Sequence, residues 1–257
     1  MKKSSSELKR IARETLNGKY GISIALTIMN SFIPFALLLP FSLRVNQTSP
    51  ASQWVIYYLA SLIVNMITII LSCGLIFFHL KIARNEACQP GDILAGFRTH
   101  PQKIVGAYLL LYLIMLPPAI PGAVLLILSL TVFPNSAPLM GLGVIALIIG
   151  IVIEIILVLR YSLIFYLFMD DPEYKVMDLF RESKRLMADN KFRLFYLGLS
   201  FIGWYLLGII SCGIGLLWVM PYMSQAHAQF YLDVLAEKNM VHPKPEEPED
   251  CEYDSPY

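Results

Sequence analysis

Glu154 is the residue of this sequence best placed to do chemistry, because it is an acid well inside a long apolar run. An ionised carboxylate at membrane depth is expensive, so such a residue is a functional candidate by default. Arg160 follows six residues later, about 9 Å along a helix axis and roughly 600° around it. The two therefore do not share a helix face, and a partner for Glu154 must come from another helix or a polar cavity. A protonated or interhelically hydrogen-bonded glutamate with a structural role is the preferred reading, and a functional site the alternative.

Two further sets of polar residues fall inside apolar runs. Ser61, Asn65, Thr68, Ser72 and His79 follow helical spacing and share one face. Small and hydrogen-bonding residues glue helices together in lipid, and that reading is preferred over a solute path. Near the C-terminus, Tyr222, Gln225, Gln229 and Asp233 line one side of a run, with Ser224, His227 and Tyr231 on a neighbouring one. A helix this polar cannot face lipid all round, so it packs in a bundle or borders water. His227 reads as a hydrogen-bonded bundle residue before it reads as a ligand. Pro34, Pro117, Pro118, Pro121 and Pro221 break backbone hydrogen bonds at membrane depth. Transporters use such breaks, although transmembrane helices tolerate proline anyway.

Enzyme signatures are missing from the sequence. It has no His-Glu-x-x-His, Gly-x-Ser-x-Gly, Walker or Gly-x-Gly-x-x-Gly pattern, and Gly198-Leu-Ser-Phe-Ile-Gly203 has the wrong spacing for a nucleophile elbow. His79, His100, His227 and His242 form no pair at metal-ligand spacing, and the four cysteines show none either. Cys73 and Cys212 fall at or inside the membrane and Cys88 and Cys251 on the cytoplasmic side, so no structural disulfide is expected. No cofactor is expected.

The elements that must hold these residues are transmembrane helices. The chain is 56% hydrophobic and 15% charged, against roughly 45–50% and about 25% in soluble domains. Its mean hydropathy is +0.60. Six stretches approach the roughly 20 residues a span needs: 20–43, 54–80, 104–130, 139–159, 194–211 and 214–235. The last is the weakest, and only Cys212-Gly213 separates it from the fifth, which makes these two a tight hairpin. Of the 20 Lys and Arg, all but Arg44 fall on one side of this partition. By the positive-inside rule that side, with both termini, is cytoplasmic. The N-terminus lacks the pattern of a cleaved signal, and no lipidation motif is present.

Each odd-numbered span follows a short amphipathic cytoplasmic segment that ends at Lys19, Lys103 or Lys191. Leu8, Ile11, Ala12, Thr15 and Leu16 form the apolar face of the first. Ile93, Leu94 and Phe97 form that of the second, and Val176, Leu179, Phe180, Ser183 and Met187 that of the third. Ser4 with Glu7 reads as a capping box. Asp92 suits an N-cap, and Asp171-Pro172-Glu173 suits a cap, a first-position proline and a first-turn acid. Ser72-Cys-Gly echoes Ser211-Cys-Gly, and Asp92-Ile-Leu echoes Asp178-Leu-Phe. These features suggest three repeats, 4–88, 89–170 and 171–242, each an interfacial helix plus a transmembrane hairpin. The basic amphipathic helices common before inward-starting spans are the alternative explanation. The acidic, proline-rich tail 243–257 cannot bury apolar surface and is expected to be disordered.

The run from Phe180 through Lys191-Phe-Arg-Leu-Phe-Tyr to Ser200-Phe-Ile-Gly-Trp204, with Gly213-Ile-Gly-Leu-Leu-Trp-Val-Met-Pro-Tyr222 and Ala228-Gln-Phe-Tyr231, carries a resemblance. Leu159-Arg-Tyr-Ser162 and Asp170-Asp-Pro172 fit it too. The sequence resembles the uncharacterised bacterial integral-membrane family catalogued as domain of unknown function 975, over all but the last fifteen residues. One departure is Ala188-Asp189, where the family pattern has a small residue and glycine. The resemblance implies a plasma-membrane protein and supplies no activity, so it assigns no functional residue.

The sequence therefore predicts an all-α, six-span, multi-pass protein with its amphipathic helices lying on the inner membrane surface. The expected partners are membrane lipids and a membrane-protein complex. A net charge of +1 offers nothing to nucleic acid. A non-enzymatic structural or accessory role is favoured. The alternative is a small transporter or lipid-translocating protein, using a polar site around Glu154, Arg160, Asn65, His79, Tyr222, Gln225 and His227.

Overall fold

The computed structural model describes residues 2–46, 48–133 and 136–241. The tail 243–257, His242 and Cys251 lie outside the described residues. Within them the chain is helical: α1 (Ser5–Leu16), α2 (Tyr20–Ser42), α3 (Ala51–Ala83), a 3-10 turn (Pro90–Leu94) running into α4 (Ala95–Arg98), α5 (Pro101–Thr131), α6 (Ala137–Tyr161), α7 (Ile164–Asp170), α8 (Val176–Leu186), α9 (Lys191–Leu199), α10 (Ile202–Ile210) and α11 (Leu216–Val241). Five segments are long and apolar enough to cross a membrane. They are α2, α3, α5, α6 continued through α7, and α9 continued through α10. α11, which covers the expected sixth span, is about 39 Å long but is not among them. Its Gln225, Gln229 and Asp233 are all buried inside the protein.

The core sits at one end of the bundle. It gathers α1, the second half of α3, α7, α8 and most of α11 around Phe78, Phe168, Phe201, Phe230 and Tyr231, all 1% exposed or less. α1 buries Leu8, Ala12 and Leu16, and what covers them is mainly α11 rather than lipid. α8 buries Leu179, Phe180, Ser183 and Leu186 and packs against α7, α6 and α11. The 3-10 turn and α4 lie on α3 with backbone touching backbone. A Cβ on Gly74 would come within 1.8 Å of the Ile93 carbonyl oxygen, and one on Gly96 within 2.2 Å of that of Ile70. This second segment is shorter than its sequence pattern suggested: Ile93 is buried, but Leu94 and Phe97 are exposed.

α5 and α6 pack chiefly on each other. Gly122, Gly143 and Gly150 bring the two backbones together, with Gly150 against the Pro118 carbonyl. Small residues permit such approach in lipid. Within α5 the missing N–H groups of Pro117, Pro118 and Pro121 leave the carbonyls of Leu113, Ile114 and Pro117 without helical donors. Both helices expose apolar residues along most of their length, from Leu113 and Ile127 to Ile145 and Ile153.

Three local expectations need correction. The helix after Asp171-Pro172-Glu173 begins only at Val176, with Lys175 at the N-cap. The Asp171 carboxylate instead accepts from the Glu173 N–H within the turn. Asp92 is not an N-cap: Gln89 holds that position, and Asp92 accepts from the Gln89 N–H as the third member of a capping box. The two Ser-Cys-Gly sequences are not equivalent. Residues 72–74 lie inside α3, whereas residues 211–213 form the turn before α11, with Cys212 and Gly213 at φ 55° and 86°. Ser4 does cap α1, accepting from the Glu7 N–H at 3.2 Å.

Candidate functional site

The polar residues of the second half of α3 and of α11 meet in the core. His79 is 1% exposed and Gln225 fully buried. With the Gln225 amide oriented to satisfy its surroundings, its nitrogen donates to His79 Nδ1 at 2.8 Å and to the His79 carbonyl at 3.2 Å. Its oxygen then accepts from the Thr15 hydroxyl of α1 and from the Ala83 N–H. Nδ1 as acceptor places the imidazole proton on Nε2. That atom is buried without a partner among the described residues, as are Ser23 Oγ and Gln229 Nε2.

A second polar knot lies one to two turns closer to the charged end. Asp170, at the end of α7, pairs with Arg84 and accepts from the Tyr231 hydroxyl at 2.7 Å. The ring of Tyr231 stacks on Tyr166 with centroids 5.6 Å apart. A third knot ties the two ends of the chain together. Asp233 of α11 pairs with Arg193 of α9 and accepts from the Lys3 N–H, while the Lys3 carbonyl accepts from Arg193 at 2.9 Å. Lys2 pairs with Glu237, and Lys238 with Glu182 of α8. The N-terminus, the start of α9 and the end of α11 therefore lie at one end of the bundle.

The remaining sequence candidates are scattered. Asn65 is exposed and donates to the Ser61 carbonyl of its own helix at 2.7 Å. Thr68 likewise bonds to Val64 within α3, whereas Ser72 reaches Asn30 of α2 at about 3.3–3.4 Å. Glu154 is half-buried on α6 and makes no hydrogen bond or ion pair among the described residues. Arg160 lies over the Tyr161 ring at 5.8 Å, and its carbonyl accepts from Ser183. The structure thus joins His79 to Gln225 and leaves Glu154, Arg160 and Asn65 apart from them.

Two apolar grooves flank this core. One, of about 480 Å³, runs between the break that separates α6 from α7 and the break that separates α9 from α10, and His227 lies in its wall with Ser162, Tyr166 and Phe230. The other, of about 410 Å³, lies along α10 and α11 and is lined by Tyr20, Trp204, Leu207, Trp218 and Tyr222, with Arg13 at its head. Arg13 sits 5.7 Å from the centre of the Tyr222 ring, and the nearby Tyr222 pushes the Arg13 pKa above its ordinary value. Gly208 and Gly215 let α10 and α11 touch at the groove floor.

Sequence reasoning placed Tyr222, Gln225, Gln229 and Asp233 on one side of a helix, and all four are buried. It missed Asp170 with Arg84, and Arg193 as the partner of Asp233. The position of Asp170 at the end of a long apolar run was the available signal. The Thr15 hydroxyl, on the apolar face in the last turn of α1, was another.

Among the described residues these features define an all-helical protein with five helices apolar enough to cross a membrane and polar knots in a core at one end. The family profile described as protein of unknown function (DUF975) matches residues 1–238, and the chain belongs to that family. No curated protein and no solved structure matches it.

Proposed function

We propose that this is a six-span membrane protein, cytoplasmic at both ends, that organises lipids or a membrane complex without catalysing a reaction. Its plasma-membrane location is carried by the family resemblance. Three units, 4–88, 89–170 and 171–242, each open with an amphipathic segment. α11 is the sixth span, shielded from lipid by its neighbours, and its end meets the basic N-terminus through Asp233 and Glu237. The positive-inside rule then places this charged end in the cytoplasm.

The observation that carries the reading is the α5–α6 pair. It is held together by close glycine contacts, joins the core near its base, and exposes apolar side chains over the rest of its length. Such a surface fits lipid or another membrane helix. His79 with Gln225, and Asp170 with Tyr231, bond between helices, and Glu154 stands apart from them.

Crosslinking in cells followed by mild purification and mass spectrometry tests this. A stoichiometric protein partner joined through α5 or α6, or a specific retained lipid, supports the reading. A transported solute with neither would sink it. Orientation is tested separately by Thr48→Cys in a cysteine-free background. An impermeant reagent added outside should label it, and protection in intact cells would overturn the topology.

A further inference from the structure

We propose that the groove along α10 and α11 binds one anionic phospholipid of the leaflet at the charged end of the bundle, with its phosphate at Lys9 and Arg13 and an acyl chain along Trp204, Leu207 and Trp218. Lys9 and Arg13 are one helical turn apart on α1 and share a face. Lys9 lies 5.5 Å from the centre of the Phe201 ring and Arg13 5.7 Å from that of Tyr222, and these two rings pack edge-to-face.

Neither cation has a carboxylate partner among the described residues, whereas Arg10 on the same helix pairs with Glu14. The chain therefore leaves two like charges without a carboxylate beside an apolar groove, Arg13 in its lining and Lys9 one turn away over Phe201. Below them the groove is walled by indole and aliphatic side chains that are themselves largely outward-facing: Trp204 is 44% exposed, Leu207 61% and Trp218 53%. A soluble anion would meet the cations and leave this wall uncovered. A neutral lipid would cover the wall and leave the cations uncompensated. A phosphate carrying an acyl chain satisfies both, and basic pockets between helices at the cytoplasmic surface select such head groups. The groove beside His227 has no cation in its lining and serves as the internal comparison.

The groove holds two of the three tryptophans of the chain, so it carries its own probe. The full chain with Trp54→Phe is reconstituted in phosphatidylcholine nanodiscs containing an equal mole fraction of either brominated phosphatidylglycerol or brominated phosphatidylcholine. Phosphatidylglycerol should quench the remaining fluorescence more strongly, and raised salt should shrink the excess. Lys9→Gln and Arg13→Gln should each reduce the preference by roughly fivefold. The charge-preserving pair Lys9→Arg and Arg13→Lys should retain it, which separates loss of charge from loss of fold. Equal quenching by the two lipids, an excess untouched by the double glutamine variant, or an excess lost in the charge-preserving variant would each overturn the site. The inference rests on the proposed topology for its choice of leaflet. The Thr48 labelling experiment reports that topology independently, so a missing preference alongside correct labelling refutes the groove alone.

Discussion

Replacing Gly74 by alanine should be strongly destabilising, although the same change at an open helical glycine such as Gly106 should help. Alanine is favoured over glycine inside a helix by about 1 kcal/mol, and an added methyl gains buried area. At Gly74, however, the new Cβ would stand 1.8 Å from the Ile93 carbonyl oxygen, where real Cβ atoms do not come within 3.0 Å. The obstacle is backbone, so no side chain can swing aside, and the 3-10 turn must retreat from α3 by more than an ångström. That retreat exposes Ile93, now 1% exposed, and strains the Lys81–Asp92 ion pair, now 3.1 Å. Overpacking of this kind costs about 3 kcal/mol, which leaves roughly 2 kcal/mol net after the helical gain. At about 2–4 °C per kcal/mol for a chain of this size, the midpoint should fall by about 4–8 °C. Gly106 is the control, because a Cβ there meets nothing within 4 Å, and Gly106→Ala should raise the midpoint by up to about 4 °C. Thermal unfolding in detergent reads both. Maleimide labelling of Cys88, which packs at the edge of the core, reads the undocking directly. Equal midpoints for the two alanine variants would refute the close packing of the 3-10 turn on α3.

The polar knots make three further predictions. His79→Leu and Gln225→Leu should each cost about 2 kcal/mol by orphaning the other group, and the double variant should cost less than their sum by about 1 kcal/mol; strict additivity in a thermal double-mutant cycle would mean the two do not bond. Asp233→Asn should cost about 2 kcal/mol, because it removes a charge-assisted hydrogen bond and leaves the largely buried Arg193 only the longer contact to Glu237 at 3.8 Å, and a loss below about 1 kcal/mol by chemical denaturation would contradict the pairing. Glu154→Gln should leave abundance and melting unchanged, since Glu154 has no partner among the described residues to lose; a marked drop in either would show that it has one.

Sequence pattern carried well wherever one periodicity governed a whole helix. Leu8, Ala12 and Leu16, and Leu179, Phe180 and Ser183, were legible as buried faces because helical spacing alone puts them together. The same spacing grouped Tyr222, Gln225, Gln229 and Asp233. It did not reveal what would cover the face of α1, because a lipid surface and a buried helix demand the same apolar stripe. Capping went astray at Asp92 and Asp171 because each side chain bonds inside a turn, and composition alone does not separate a turn from a helix start. Asp170 with Arg84 escaped notice because the two are 86 residues apart. Glu154 attracted attention for its depth in a span, yet depth does not say whether a second helix brings it a partner.

The docking of α1 on α11 also sets a schedule for biosynthesis. The first helix ends at Leu16 and the helix that covers it begins at Leu216. At roughly 5–20 residues per second, Leu8, Ala12 and Leu16 wait on the order of 10–40 s after synthesis before their cover emerges. An apolar helical stripe with nothing to pack on partitions to a membrane surface. In the proposed membrane topology α1 therefore rests on the bilayer until α11 emerges, and this part of the core closes only once α11 has left the ribosome.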